Sequence, residues 1–212
     1  MIRVTNISKT YGKKQVLDRF SAQIEEGQTI AVMGKSGGGK TTLLRILMGL
    51  ETADSGTVEG ISSRKMSAVF QEDRLCENLS VMANIRLVNP SCPKERILEE
   101  MKKIDLYGCE NQPVRELSGG MKRRTALLRA LLATYDILFL DEPFKGLDEN
   151  TREKTARYAR ESSRGRTVIL VTHDRKEARW MEVQKVFTLD SENNRRQKEG
   201  KKDAGCGESV RI

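Results

Sequence analysis

The chain has 212 residues, of which 37% are hydrophobic and 32% charged, a balance that fits a soluble globular domain and excludes a disordered or bilayer-embedded chain. No apolar run approaches the ~20 residues that span a membrane, and residues 1–10 lack the apolar stretch of a secretory signal, so the protein is expected in the cytoplasm. The net charge of +8 is scattered and aromatic residues make up only 5%, which reads as a solvated surface rather than a nucleic-acid patch.

In chain order, residues 2–7 alternate weakly (Ile2, Val4, then Ile7) and predict a first strand. Residues 16–25 and 29–33 predict two more, separated by the turn Glu26-Gly27. The third strand runs into Gly34-Lys35-Ser36-Gly37-Gly38-Gly39-Lys40-Thr41, followed by Thr42, which fits G-x-x-x-x-G-K-[ST] at every fixed position. Residues 42–48 then predict a helix burying Leu43, Leu44, Leu47 and Met48. Strand, glycine loop and helix N-terminus make a phosphate cradle, because side-chain-free glycines let N–H groups point inward and the helix end adds positive potential. Lys40 would reach the β/γ-phosphates and the Thr41 hydroxyl would ligand Mg²⁺. This pattern implies binding of a nucleoside triphosphate.

Residues 67–70 predict another short strand, after which the pattern turns helical from Gln71 to about residue 133, with Ile97, Leu98, Met101 and Ile104 at helical spacing. Ser118-Gly119-Gly120 precedes a helix predicted over 121–132 and builds a second anion-binding helix N-terminus, this one without a lysine. Lys122, Arg123 and Arg124 read as the solvated face of that helix. Two different phosphate devices in one chain have a physical use if ATP is sandwiched between the loop of one copy and the Ser-Gly-Gly turn of another. Residues 137–141 and 167–171 are continuous apolar runs, as in parallel strands covered on both faces. Strands alternating with helices imply an α/β core, with about 72–133 as a helical insertion. The first run delivers Asp141 and Glu142 to its carboxyl end, where ligands bind in open α/β sheets. Asp141 is placed to hold Mg²⁺ through its water shell and Glu142 to polarise an attacking water. His173 follows the second run, and Lys145 is read as a surface charge. Cys76, Cys92, Cys109 and Cys206 form no metal-ligand spacing and are expected as reduced thiols. Residues 191–212 carry almost no apolar side chains and predict a mobile polar tail.

The order of these motifs resembles the ATP-binding cassette (ABC) ATPases over roughly residues 1–190. In that resemblance Tyr11 matches the aromatic that stacks on adenine, Gly34 to Thr42 the phosphate loop, and Gln71 the glutamine loop. Leu117-Ser118-Gly119-Gly120-Met121 matches the family signature, with Met121 in place of the more usual glutamine. Asp141 and Glu142 match the Mg²⁺ and catalytic acids, Gly146-Leu147-Asp148 the loop that crosses the dimer interface, and His173 the switch histidine. The resemblance implies a P-loop NTPase core with an antiparallel β subdomain and a helical insertion, using ATP and Mg²⁺. It makes Lys40, Glu142 and His173 catalytic, and gives Thr41, Gln71 and Asp141 the metal. ATP contacts then fall on Tyr11, Gly34 to Thr42, Gln71, Ser118, Gly119 and Gly120.

The implied assembly is a homodimer across two ATP, peripheral on the inner face of the cell membrane. It would dock on integral membrane permease subunits, with a substrate-binding protein acting indirectly and no nucleic acid involved. Val69-Phe70-Gln71-Glu72-Asp73-Arg74-Leu75 and Ser-Gly-Gly-Met resemble the nitrate/sulfonate/taurine importer branch, which implies a small anionic cargo. The alternative is a soluble or regulatory ABC ATPase acting on DNA, a ribosome or a membrane assembly. A single cassette without a long coiled-coil insertion weighs against it.

Overall fold

In the computed structural model, which describes residues 1–189, a five-stranded sheet carries the phosphate loop and both apolar runs. Its order is β5 (Met66–Val69), β6 (Ile137–Asp141), β7 (Thr167–Val171), β3 (Thr29–Met33) and β8 (Lys185–Thr188), with every neighbouring pair parallel. A second sheet of three antiparallel strands has the order β2 (Lys14–Ile24), β1 (Ile2–Tyr11) and β4 (Ser55–Glu59), with β4 following β3 in sequence. Helix α1 (Lys40–Leu47) follows the phosphate loop, and α2 (Val81–Arg86), α3 (Lys94–Lys103) and α4 (Gly119–Leu131) fall between β5 and β6. Helices α5 (Glu149–Ser162) and α6 (Arg175–Trp180) flank β7. Among the described residues no helix is long and apolar enough to cross a membrane.

Side-chain alternation explains why the apolar runs are continuous. Along β6, Leu138 and Leu140 join one core cluster with the helices α2 to α6, whereas Ile137 and Phe139 join another with α1 and the antiparallel sheet. In β7, Val168 and Leu170 face the first cluster and Ile169 and Val171 the second. A strand buried on both faces has no polar position to alternate with. Strands β3, β6 and β7 accordingly span the residues that the sequence predicts.

Elsewhere the structure departs from the hydrophobic pattern. Strand β1 continues past Ile7 to Tyr11 because Lys9, Thr10 and Tyr11 pair with Leu17, Gln15 and Lys14 across a polar hairpin. Helix α4 starts at Gly119, with the Ser118 hydroxyl accepting from the Met121 N–H at 3.3 Å. Strands β4 and β8 and helices α5 and α6 were not foreseen. Strand β4 is mostly exposed, and α5 buries only Thr155, Ala156, Tyr158 and Ala159 beneath a charged face. Cys76, Cys92 and Cys109 are free thiols. The tail predicted over 191–212 lies outside the described residues.

Candidate nucleotide site

The sheet order sets the site. Strands β5, β6, β7 and β3 are consecutive neighbours, and Asp141 pairs with Val171 as Val32 does, so their carboxyl ends line one edge. The segments leaving that edge carry Gln71, Asp141 and Glu142, His173, and the phosphate loop.

The loop can be built only from glycine at two points. A Cβ at Gly34 would lie 2.2 Å from the Leu189 carbonyl oxygen, and one at Gly39 would lie 2.4 Å from that of Val16. Gly39 has φ 87° and caps α1, whose first turn holds no acidic residue, so the positive end of the helix is uncompensated. The buried Lys40 donates from Nζ to the carbonyls of Gly34 (2.8 Å) and Lys35 (2.9 Å), which holds its ammonium inside the loop.

Asp141 is 2% exposed and accepts the Thr41 hydroxyl at Oδ2 (2.9 Å). Burial pushes its carboxyl above the usual range; the Thr41 hydrogen bond opposes that, the Glu142 charge adds to it, and Arg123 and Lys40 oppose it. Thr41, Gln71 and Asp141 also line a cavity of about 160 Å³ beside the loop. Hydroxyl, amide and carboxylate oxygens suit Mg²⁺, which binds through one or two carboxylates together with phosphate oxygens. Among the described residues no group of three or more His, Cys, Asp and Glu side chains could hold a metal alone. The donor set therefore fits an ion that shares its coordination with a nucleotide.

Glu142 has φ 46°, a left-handed conformation uncommon for a residue with a side chain, and its N–H is held by the Val171 carbonyl at 2.9 Å. Its carboxylate sits between His173 Nδ1 (3.5 Å from Oε1) and Lys145 Nζ (3.3 Å from Oε2). Lys145, predicted as a plain surface charge, therefore occupies one oxygen of this acid. Because Lys145 is exposed, solvent screening limits the ion pair to at most about 1 kcal/mol. Lys145→Ala is expected to free that oxygen and raise ATP turnover about two- to fivefold at unchanged ATP affinity. Steady-state phosphate release measures it, and a fall in rate would mean that Lys145 helps to place the acid.

One cavity of about 320 Å³ is lined by Tyr11, Ser36, Gly37, Gly39, Lys40, Thr41, Thr42, Gln71 and Glu142 among others. Tyr11 is half exposed there, its hydroxyl donating to Glu51 and its ring lying 5.5 Å from Lys9 Nζ. Gly34, Lys35, Gly38 and His173 do not line this cavity; the His173 side chain is 70% exposed and meets it through Glu142. Ser118, Gly119 and Gly120 do not line the cavity.

Besides Lys145, two features escaped sequence reasoning. Arg123, expected on a solvated face, is 4% exposed. The apolar stripe of α4 explains it, since Leu127, Ala130 and Leu131 extended back one turn land on Arg123. The second is Glu177, 5% exposed, whose carboxyl is raised by burial and accepts the Thr172 hydroxyl at 2.5 Å. Thr172 Oγ1 in turn accepts the Asp174 N–H at 3.0 Å, which fixes the turn that carries His173.

Residues 17–145 match the family model described as ABC transporter. The chain is 38% identical over 198 residues to the sulfate/thiosulfate import ATP-binding protein CysA of Vibrio cholerae, covering 84% of this chain and 53% of that one. It is 38% identical over 179 residues to the aliphatic sulfonates import ATP-binding protein SsuB 1 of Shouchella clausii, covering 84% of this chain and 72% of that one. The chain thus spans about half the length of the Vibrio relative. Among solved structures it is similar to dimeric MJ0796, described as a bacterial ABC transporter cassette, with TM-score 0.78 and 30% identity over 90% of this chain and 94% of that one. A second structure of MJ0796, a dimeric post-hydrolysis state bound to ADP and Pi, gives TM-score 0.77 and 29% identity over 89% and 94% of the two chains.

Proposed function

The chain belongs to the ABC transporter ATPase family, and on that premise we propose that it binds and hydrolyses ATP as one half of a head-to-tail dimer. The observation that carries the reading is the split of the site. The phosphate loop, Gln71 and Glu142 share one cavity, while the Ser118-Gly119-Gly120 turn of the same chain lies outside it. A second copy, turned to face the first, would bring its own Ser-Gly-Gly turn to the bound triphosphate.

Adenine stacks on Tyr11, and the loop N–H groups and Lys40 take the phosphate charge. Thr41, Gln71 and Asp141 would hold Mg²⁺, which would supply charge neutralisation to the bound triphosphate. The Glu142 carboxylate accepts a hydrogen bond from water and aims it at the γ-phosphorus, and His173 contacts the γ-phosphate from the end of β7. Each ATP is then completed by Ser118, Gly119 and Gly120 of the opposite copy.

Residues 1–190 act as a single cassette, and the helical block 72–133 acts as its moving arm. That arm engages separate permease subunits at the inner face of the cell membrane, and the dimer energises import of a small oxyanion. The relatives' descriptions as import ATP-binding proteins for sulfate/thiosulfate and for aliphatic sulfonates support this cargo class. A substrate-binding protein delivers the anion to the permease. Phosphate release by the purified protein, alone and with its permease in vesicles, tests the reading. A low basal rate raised by the permease is expected, whereas stimulation only by DNA or ribosomes would overturn the transport assignment.

A further inference from the structure

Arg123 extends from α4, behind the Ser118 turn, into the space between two loops of the nucleotide site. Nε donates to the Pro143 carbonyl at 3.0 Å. Nη1 donates to the carbonyls of Phe70 (2.6 Å) and Gln71 (3.4 Å) and to Asp73 Oδ1 (3.0 Å). Nη2 donates to the carbonyls of Asp141 (2.8 Å) and Glu142 (2.5 Å). One guanidinium thus joins the signature helix, the Gln71 segment and the loop of both site acids.

The choice of partners separates this residue from an ordinary buried ion pair. Among the described residues Asp73 is the only carboxylate it meets, and the remaining partners are main-chain oxygens. A main-chain oxygen reports where a segment lies, not what side chain it bears. Guanidinium is planar and rigid, so its two forks cannot follow two loops independently, unlike the flexible point charge of lysine. Glu142 has the backbone that most needs holding. Its left-handed φ of 46° persists only where neighbours over-determine it. Val171 fixes the nitrogen of that residue and Arg123 its carbonyl oxygen.

We infer that Arg123 is a positioning residue for hydrolysis, fixing the Glu142 carboxylate relative to both the signature helix and the Gln71 segment. Arg123 does not line the nucleotide cavity. A displacement of α4 or of residues 70–73 is passed through its forks to the Asp141–Glu142 peptide, so movement of the helical block alters the geometry of the acid. The inference rests on the reading of Glu142 as the group that orients water.

The test uses the full chain with Arg123→Lys, Arg123→Gln, Asp73→Ala and the double variant Arg123→Gln/Asp73→Ala. ATP affinity is measured with a fluorescent ATP analogue, turnover by phosphate release, and folding by thermal melts. Arg123→Gln is expected to lower kcat at least tenfold while KM and ATP affinity stay within about threefold. Arg123→Lys restores part of that loss, because an ammonium keeps the charge and loses the fork. Asp73→Ala lowers kcat severalfold alone and adds nothing in the Arg123→Gln background, the signature of two groups acting through one connection. Should Arg123→Gln fail to fold, Arg123→Lys and Asp73→Ala carry the test through the same split between kcat and KM. Variants that melt earlier but turn over at the wild-type rate per folded molecule would overturn the inference, as would additive effects in the double variant. Wild-type protein that releases no phosphate would instead overturn the ATPase reading.

Discussion

Glu142→Gln is expected to bind Mg-ATP with near wild-type affinity and to hydrolyse it roughly 100- to 10,000-fold more slowly, the range lost when a positioned base is removed. The amide keeps the size and shape of the side chain, so the left-handed backbone and its hydrogen bonds to Val171 and Arg123 remain. The amide oxygen is a far weaker base than a carboxylate and cannot polarise the attacking water. The deficit should therefore appear in kcat and not in binding, which single-turnover phosphate release and an independent binding titration separate. Turnover at the wild-type rate would remove Glu142 from the mechanism.

Lys40→Ala is expected to fail at the earlier step. The Lys40 ammonium lies inside the loop on the carbonyls of Gly34 and Lys35, and the residue lines the cavity that the loop borders. A hydrogen bond to a charged group contributes about 1.5–3 kcal/mol, so losing its contacts with the phosphates should weaken ATP binding on the order of 100-fold and abolish turnover. Calorimetric titration with ATP checks this. Affinity within twofold of wild type would mean that the loop N–H groups alone hold the phosphates.

The contrast between these two residues and Arg123 shows how much of the molecule was legible in its sequence. Residues 29–33, 137–141 and 167–171 could be delimited because a strand buried on both faces is written as an unbroken apolar run. Lys40 and Thr41 could be named because the loop must be built from glycines at fixed spacing around one lysine. Strand β4 is held by ladder pairing, and helix α5 by Tyr158 with three small side chains among charged neighbours, neither of which leaves a strong hydrophobic period. Arg123 was misread because an arginine beside Lys122 and Arg124 looks solvated, whereas its burial depends on carbonyls up to 53 residues away in sequence. Lys145 lies three residues after Glu142, yet only the left-handed turn at Glu142 and the loop that follows bring its ammonium onto the carboxylate. Glu177 was invisible for a similar reason, since its partner Thr172 precedes the turn it stabilises.

The head-to-tail site is tested most directly by the mass of Glu142→Gln in solution, measured by light scattering during size-exclusion chromatography with and without Mg-ATP. The chain is 23.9 kDa. With ATP, Glu142→Gln should elute at twice that mass, because the nucleotide joins the loop of one copy to the Ser118 turn of the other and is not consumed. Adding Ser118→Arg, which places a bulky cation in the turn but outside the chain's own cavity, should keep the mass at 23.9 kDa while the monomer still binds ATP. A Glu142→Gln protein that remains monomeric while saturated with ATP, or a Ser118→Arg protein that still doubles in mass, would contradict a site shared between two copies.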